Sequence, residues 1–143
     1  IEANNTPAYD QTDKQRKTLA FSDKLVAEIE VVDTLIIGVA LYNFSITASL
    51  KLWIDLVCRV RKTFAYVDGS PKGLMTGKKA IICFASGGTP FESNIDFASG
   101  YLRHILGFIG ITDVTFISAD KHLMDDQSLI NANAAVDALT NRL

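Results

Sequence analysis

The chain of 143 residues is 48% hydrophobic and 21% charged, a composition typical of one globular domain with an apolar core, spanning residues 1–143. This composition excludes a disordered or collagen-like chain. With 14 basic and 16 acidic residues the net charge is -2, so no basic excess favours nucleic acid or an acidic membrane as a partner.

Helices and strands are predicted to alternate along the chain. Apolar residues at helical spacing predict helices over residues 12–30, 45–62, 97–109 and 126–141. Short apolar runs, typical of strands buried on both faces, lie at residues 34–39, 79–85 and 114–118. Turn residues predict a long loop over 67–73. This order indicates an α/β fold with a parallel sheet and helices on both of its faces.

The two cysteines, Cys58 and Cys83, form neither a CxxC pair nor the set of several cysteines whose disulfide bonds stabilise small secreted domains. Cys83 lies within an apolar run and is predicted to be a buried thiol. This cysteine usage is best explained by a reducing, cytoplasmic setting. No apolar run approaches the ~20 residues that a membrane helix needs.

Two loops follow the carboxyl ends of predicted strands, which is where open parallel sheets bind ligands. In the first, Tyr42 and Phe44 could wall a flat ring, and Asn43 offers both donors and an acceptor. The same aromatics could instead fill a gap between helix and sheet. In the second, Gly87 and Gly88 let the backbone approach a ligand closely, although a lone glycine pair is more often an ordinary turn.

These loops resemble those of the FMN-dependent NADH-azoreductases, a flavodoxin-like family of quinone and azo-dye reductases. That family has a Met-Tyr-Asn-Phe-type segment after its third strand and a Ser-Arg-Gly-Gly-type segment after its fourth. The run from Gly107 to Val114 is similar as well, and the likeness extends from about residue 22 onward. It implies a flavodoxin-like, three-layer α/β/α fold with a parallel sheet.

The resemblance also implies roles for individual residues. The residues that would bind non-covalent FMN are Leu41, Tyr42, Asn43, Phe44, Ala85, Ser86, Gly87 and Gly88. Tyr66 and Phe108 would wall the substrate space, which the family forms at a homodimer interface; core packing is their alternative role. No catalytic side chain and no metal ligand is expected, because the flavin supplies the chemistry.

The implied activity is that of an oxidoreductase with two successive substrates. NADH or NADPH would reduce the FMN, leave, and be replaced by a quinone or azo compound. One alternative is a quinone reductase with little azo activity, and another is a degenerate, non-catalytic relative that binds no flavin. Some family members have been labelled acyl-carrier-protein phosphodiesterases, but no nucleophile or metal site supports hydrolysis here. His122 is predicted to be solvated at the start of the last helix.

Several features depart from the family pattern. The usual proline is Ala40, the usual methionine is Leu41, and the usual Ser-Arg pair is Ala85-Ser86. The phosphate loop of the family, which follows its first strand, has no counterpart, and the chain opens at Ile1 in a polar stretch. We therefore expect an upstream β-α-β segment, without which the strand at residues 34–39 would be an exposed edge.

Overall fold

Helices and strands alternate through residues 2–141, which are the residues described by the computed structural model. The elements in chain order are α1 (Glu2–Asn5), a 3-10 turn (Ala8–Asp10), α2 (Asp13–Glu30), β1 (Thr34–Ala40), α3 (Ala48–Val57), β2 (Phe64–Val67), β3 (Ser70–Gly73), β4 (Lys79–Ala85), α4 (Ser99–Ile109), β5 (Asp113–Ala119) and α5 (Gln127–Thr140). Within this range no helix combines the length and apolar character needed to cross a membrane.

Three parallel strands form the main sheet in the order β1-β4-β5. Its central row aligns Ile37, Ile82 and Phe116 across the three strands. The observed sheet confirms the predicted α/β class and parallel pairing. It also places β1 at an open edge of the sheet, as expected.

The two faces of the sheet are covered unequally. Side chains such as Leu35, Val39, Ile82 and Phe84 form one core with α2, α3 and α4. Right-handed crossovers explain why α3 and α4 lie on the same face, since β1, β4 and β5 follow one another in a single direction. On the other face α5 packs against β5.

Between β1 and β4 this second face is open. Ile36 is 72% exposed, and Cys83, which lies in the next register row on the same face, is exposed too. The prediction that Cys83 is buried is therefore wrong in this structure. Its apolar run does form a central strand, but α5 reaches only β5 and leaves the thiol uncovered.

Two predicted boundaries are wrong for local reasons. The helix predicted over 45–62 is the shorter α3, because the Thr47 side chain caps it by accepting a hydrogen bond from the Leu50 N–H at 3.3 Å. The loop predicted over 67–73 belongs mainly to the antiparallel hairpin β2–β3. Asp68 and Gly69, with φ of 51° and 78°, make its two-residue turn.

Candidate functional site

Three loops leave the sheet side by side at its carboxyl edge. Ala40, Ala85 and Ala119 occupy the same register row, and neighbouring strands lie about 4.8 Å apart. We call the segments that follow them loop A (residues 41–47), loop B (residues 86–98) and loop C (residues 120–126). The sequence predicted residues 40–44 and 85–90, at the starts of loops A and B, as the site, but it did not single out loop C.

Loop A is a tight turn that holds two aromatic rings in solvent. Tyr42 and Ser45 exchange backbone hydrogen bonds of 3.0 and 3.1 Å around Asn43 and Phe44. These two central residues have φ of 50° and 67°, a left-handed conformation that costs a bulky side chain roughly 1–3 kcal/mol. Tyr42 is 67% exposed and Phe44 is 52% exposed, which argues against a role in filling the core.

Leu41 differs from its neighbours in loop A. Its side chain is buried in the core, and its backbone N–H donates to the carbonyl of Ala85 at 2.9 Å. This hydrogen bond extends the β1–β4 pairing by one residue and fixes the start of loop A against the start of loop B. The side chain of Leu41 therefore belongs to the support of the site.

Ser86 connects loop B to loop C with both of its oxygen atoms. It is buried; its Oγ accepts from the Lys121 N–H at 3.1 Å and donates to the carbonyl of Thr89. Its own carbonyl accepts from the backbone N–H of His122 at 3.1 Å and contacts His122 Nδ1 at 2.8 Å. His122 is thus partly buried and engaged, so the prediction of a solvated histidine is wrong.

Loop B is left with a row of free hydrogen-bond donors. The carbonyl of Gly87 accepts from the Leu123 N–H at 3.2 Å, so this carbonyl is engaged like that of Ser86. The N–H groups of Gly87, Gly88 and Thr89 have no hydrogen-bond partner within residues 2–141. Successive free N–H groups are suited to ring carbonyl oxygens and other electron-rich atoms.

The second half of loop B is organised by the buried carboxylate of Asp96. Its Oδ1 accepts from the N–H groups of Ala98 and Ser99 at 2.9 and 3.0 Å, and its Oδ2 accepts from that of Glu92 at 2.9 Å. Burial alone would raise the pKa of Asp96, but the hydrogen bonds from Ser99, Glu92 and Ala98 outweigh it and lower this pKa. The next residue, Phe97, donates its N–H to the carbonyl of Phe44 at 3.0 Å and so joins loop B to loop A.

Loop C braces loop B and carries two exposed apolar side chains. Asp120 accepts from the Phe91 N–H through Oδ2 at 3.0 Å and from the Ser118 hydroxyl through Oδ1 at 3.2 Å. At the tip of the loop, Leu123 and Met124 are each 79% exposed. The signal that could have identified loop C is its position after the third parallel strand, at the edge shared with loops A and B.

Tyr66 and Phe108 lie together, but far from these loops. Phe64 joins them, with its ring centroid 5.8 Å from that of Tyr66 and 4.5 Å from that of Phe108. Phe108 is near the end of α4, whose 11 residues rise about 16 Å from the loop end of the sheet towards the amino ends of the strands. The eight predicted cofactor residues therefore lie at the carboxyl end of the sheet, and the two predicted substrate residues lie at its amino end.

No metal site accompanies the loops. Across residues 2–141, no three or more His, Cys, Asp or Glu side chains are grouped so as to hold a metal ion. Loops A, B and C offer backbone donors, exposed aromatic faces and apolar side chains together. This set suits a flat heteroaromatic ring.

Comparison with known proteins agrees with the fold. The family described as having a flavodoxin-like fold matches residues 1–143. FMN-dependent NADH:quinone oxidoreductase 1 of Jannaschia sp. is 52% identical over 140 residues, which cover 97% of this chain and 73% of that protein. The enzyme of the same name from Hahella chejuensis is 48% identical over 130 residues, covering 91% of this chain and 64% of that protein.

Solved structures give the same result. The crystal structure of an FMN-dependent NADH-azoreductase from Bacillus anthracis in complex with FMN matches with a TM-score of 0.83 at 25% identity. The match covers 93% of this chain and 66% of that one. The chain thus spans about two thirds to three quarters of the length of these relatives. It belongs to the flavodoxin-like family that includes the FMN-dependent NADH:quinone oxidoreductases.

Proposed function

We propose that this protein is an FMN-dependent oxidoreductase that uses NADH to reduce quinones or azo compounds. The observation that carries the proposal is the row of free N–H donors in loop B beside the strained aromatic turn of loop A. Relatives named FMN-dependent NADH:quinone oxidoreductases, at 52% and 48% identity, support the same activity. When bound, FMN would supply the hydride-transfer chemistry, and the chain would supply orientation and electrostatics.

Each half of the site would hold the ring in its own way. Tyr42, Asn43 and Phe44 would contact it through exposed side chains on a backbone that two mutual hydrogen bonds hold rigid. Gly87 and Gly88 would contact it through backbone N–H groups. Ala85 and Ser86 would act as support, because the Ala85 carbonyl is bonded to Leu41 and the Ser86 hydroxyl is bonded within the loops.

A homodimer would bring Tyr66 and Phe108 to the site. Tyr66 is 65% exposed on the hairpin, which lies at the amino end of the main sheet, opposite loops A, B and C. In a two-fold assembly the hairpin of one subunit can face the loops of its partner. We therefore propose that these two aromatics wall the substrate space of the partner subunit.

The open side of the sheet would be covered by a further β-α-β segment upstream of the matched region. An apolar groove lined by Leu25, Ile29, Ile36 and Trp53 runs along the free edge of β1. A parallel strand fits that edge, and a helix beside α5 would bury Cys83. Cys58 and Cys83 are both free cysteines, which is compatible with the cytoplasmic setting that this proposal assigns.

The second candidate is a degenerate relative that binds no flavin. One observation favours it: the side chain of Ser86 is turned into the protein, so the Ser86 hydroxyl is not offered to a ligand. A loop that binds only through backbone N–H groups does not need that hydroxyl. Flavin binding itself therefore separates the two candidates.

The test is a titration of the purified protein with FMN, followed by its visible absorbance and fluorescence. We expect a yellow, stoichiometric complex whose absorbance bleaches with NADH and recovers with a quinone or an azo dye. Parallel reactions with NADPH establish the donor preference. A protein that stays colourless after incubation with FMN would contradict the enzyme proposal and support the degenerate relative that binds no flavin.

A further inference from the structure

We propose that Leu123 and Met124, at the tip of loop C, form an apolar wall of the acceptor site and give the enzyme a preference for quinones with apolar ring substituents. The inference rests on the proposed quinone reduction and names a specificity determinant within it. Three features of loop C support it: contact with the glycine pair, a rigid backbone, and exposure to solvent.

The two side chains pack directly on the glycines of loop B. A Cβ built on Gly87 would lie 3.0 Å from Leu123 Cδ1, closer than side chains normally approach one another. A Cβ on Gly88 would lie 3.5 Å from Met124 Sδ, an ordinary van der Waals contact. The absence of a side chain at position 87 therefore makes room for Leu123 as well as for a ligand.

The backbone of the tip is held in place. The Leu123 N–H is bonded to loop B, and the N–H groups of Met124 and Asp125 both donate to the carbonyl of Lys121, at 2.7 and 3.0 Å. Lys121 adopts a left-handed φ of 55°, which closes this turn. Leu123 and Met124 are thus presented by a defined turn that is bonded to loop B.

Exposure of two adjacent large apolar side chains on such a turn is costly in water and points to a partner that covers them. At 79% exposure each, they offer most of their surface beside the free donors of Gly87, Gly88 and Thr89. Those donors would hold the flavin ring, and an apolar wall beside a flat ring is suited to a flat acceptor that carries apolar substituents. The flexible side chain of Met124 would adapt to different ring substituents.

The order of the loops favours the acceptor over the cofactor as the molecule that Leu123 and Met124 contact. Loop B lies between loops A and C, because β4 lies between β1 and β5. A ring held between loops A and B meets loop C only at its rim. A second molecule that arrives from solvent and lies over that ring meets the exposed tip directly.

The experiment compares the FMN-loaded protein with the double variant Leu123→Ser/Met124→Ser. Steady-state KM and kcat are measured for unsubstituted benzoquinone, for a naphthoquinone with an alkyl side chain, and for NADH. We expect KM for the alkyl quinone to rise roughly tenfold, the effect of losing part of the burial of two apolar side chains. KM for benzoquinone and KM for NADH should stay within about twofold, because neither molecule depends on an apolar wall for ring substituents. The FMN content should also stay within about twofold, because the loop B donors remain in place.

Two controls distinguish specificity from general damage. Val31→Ser removes an apolar side chain that is 82% exposed at the end of α2, away from the three loops, and should change none of these values. Leu123→Met/Met124→Leu keeps apolar side chains at the tip and should retain the low KM for the alkyl quinone. This conservative variant also keeps the test usable if the serine variant folds poorly.

Each outcome supports or overturns the inference. An unchanged KM for the alkyl quinone, or an equal rise for both quinones, overturns it. A loss of FMN from the serine variant overturns it too, because the tip would then serve the cofactor. A wild-type protein that reduces neither quinone overturns the proposed function itself, and is distinguished from the other results by that absence of activity.

Discussion

The backbone N–H of Phe97 donates to the carbonyl oxygen of Phe44 at 3.0 Å, and this hydrogen bond joins the end of loop B to loop A. Phe44 is held in a left-handed conformation while it accepts that bond. Strain of this kind persists where the surroundings determine the backbone, and it is concentrated at ligand-binding turns. The geometry of loop A is thus set partly by loop B.

Glycine at position 44 should stabilise the turn relative to alanine. We expect the free energy of unfolding of Phe44→Gly to be about 1 kcal/mol higher than that of Phe44→Ala, because alanine keeps the left-handed strain and glycine does not. Both variants lose the ring and should weaken FMN binding to a similar extent. Urea denaturation and FMN titration measure the two effects separately; equal stabilities for the two variants would contradict the strained turn.

Asp96 should control both the stability of loop B and its response to acid. Asp96→Ala leaves three backbone N–H groups without their acceptor, and we expect a loss of about 1–3 kcal/mol in the free energy of unfolding. Asp96→Asn retains one side-chain oxygen and should lose less. Urea denaturation at neutral pH checks this order.

The sign of the pH effect follows from the lowered pKa of Asp96. The ionised carboxylate stabilises the folded protein at pH values above the unfolded pKa of about 3.9, and this contribution disappears as pH falls through the lower folded pKa. Wild-type protein should therefore lose more stability than Asp96→Asn below about pH 4. If the free energy of unfolding fell equally with pH in the two proteins, Asp96 would be excluded as a source of the effect.

The hairpin β2–β3 should depend on a glycine contact at the end of α4. A Cβ on Gly73 would lie 2.1 Å from the backbone nitrogen of Gly110, so Gly73→Ala must push the hairpin away. We expect a loss of about 3 kcal/mol in unfolding free energy. Gly38→Ala is the matched control, because a Cβ there meets no atom within 4 Å. If both variants were equally stable, the position of Tyr66 beside Phe108 would need revision.

The two thiols should differ in reactivity. Burial raises the pKa of Cys58 to about 11, so little thiolate is present there at pH 8, whereas Cys83 is exposed. We expect a thiol reagent to label Cys83 first and Cys58 slowly, with Cys83→Ser removing the fast phase. In a protein that carries the proposed upstream segment, slow labelling of Cys83 is the expected result, because a helix would cover it.

Sequence patterns predicted the sheet and loop A because they depend on local features. β-branched apolar runs mark β1 and β4, and the aromatic turn at Tyr42 follows β1 directly. The hairpin was signalled by Asp68 and Gly69, a pair typical of two-residue hairpin turns, but their neighbour Pro71 favoured a loop. Pro71 is tolerated because β2 and β3 form a separate two-stranded sheet.

The remaining features depend on contacts between distant segments. The hydrogen bonds of Ser86 to residues 121 and 122 join positions 35 and 36 residues apart, and no local pattern encodes them. The exposure of Cys83 depends on how far α5 extends across the sheet. The separation of Tyr66 and Phe108 from the loops follows from the direction of α4, which sequence similarity does not display.

The hydrogen bonds from loop C to two carbonyls of loop B have an electrochemical consequence. With the oxygens of Ser86 and Gly87 already bonded to loop C and that of Thr89 bonded to the Ser86 hydroxyl, residues 86–89 present more free N–H groups than free carbonyl oxygens. Such an environment stabilises a ring more after it has gained electron density than before, and loop C fixes that bias before any ligand binds. We therefore expect the bound flavin to have a higher reduction potential than free FMN, with loop C as the element that sets the difference.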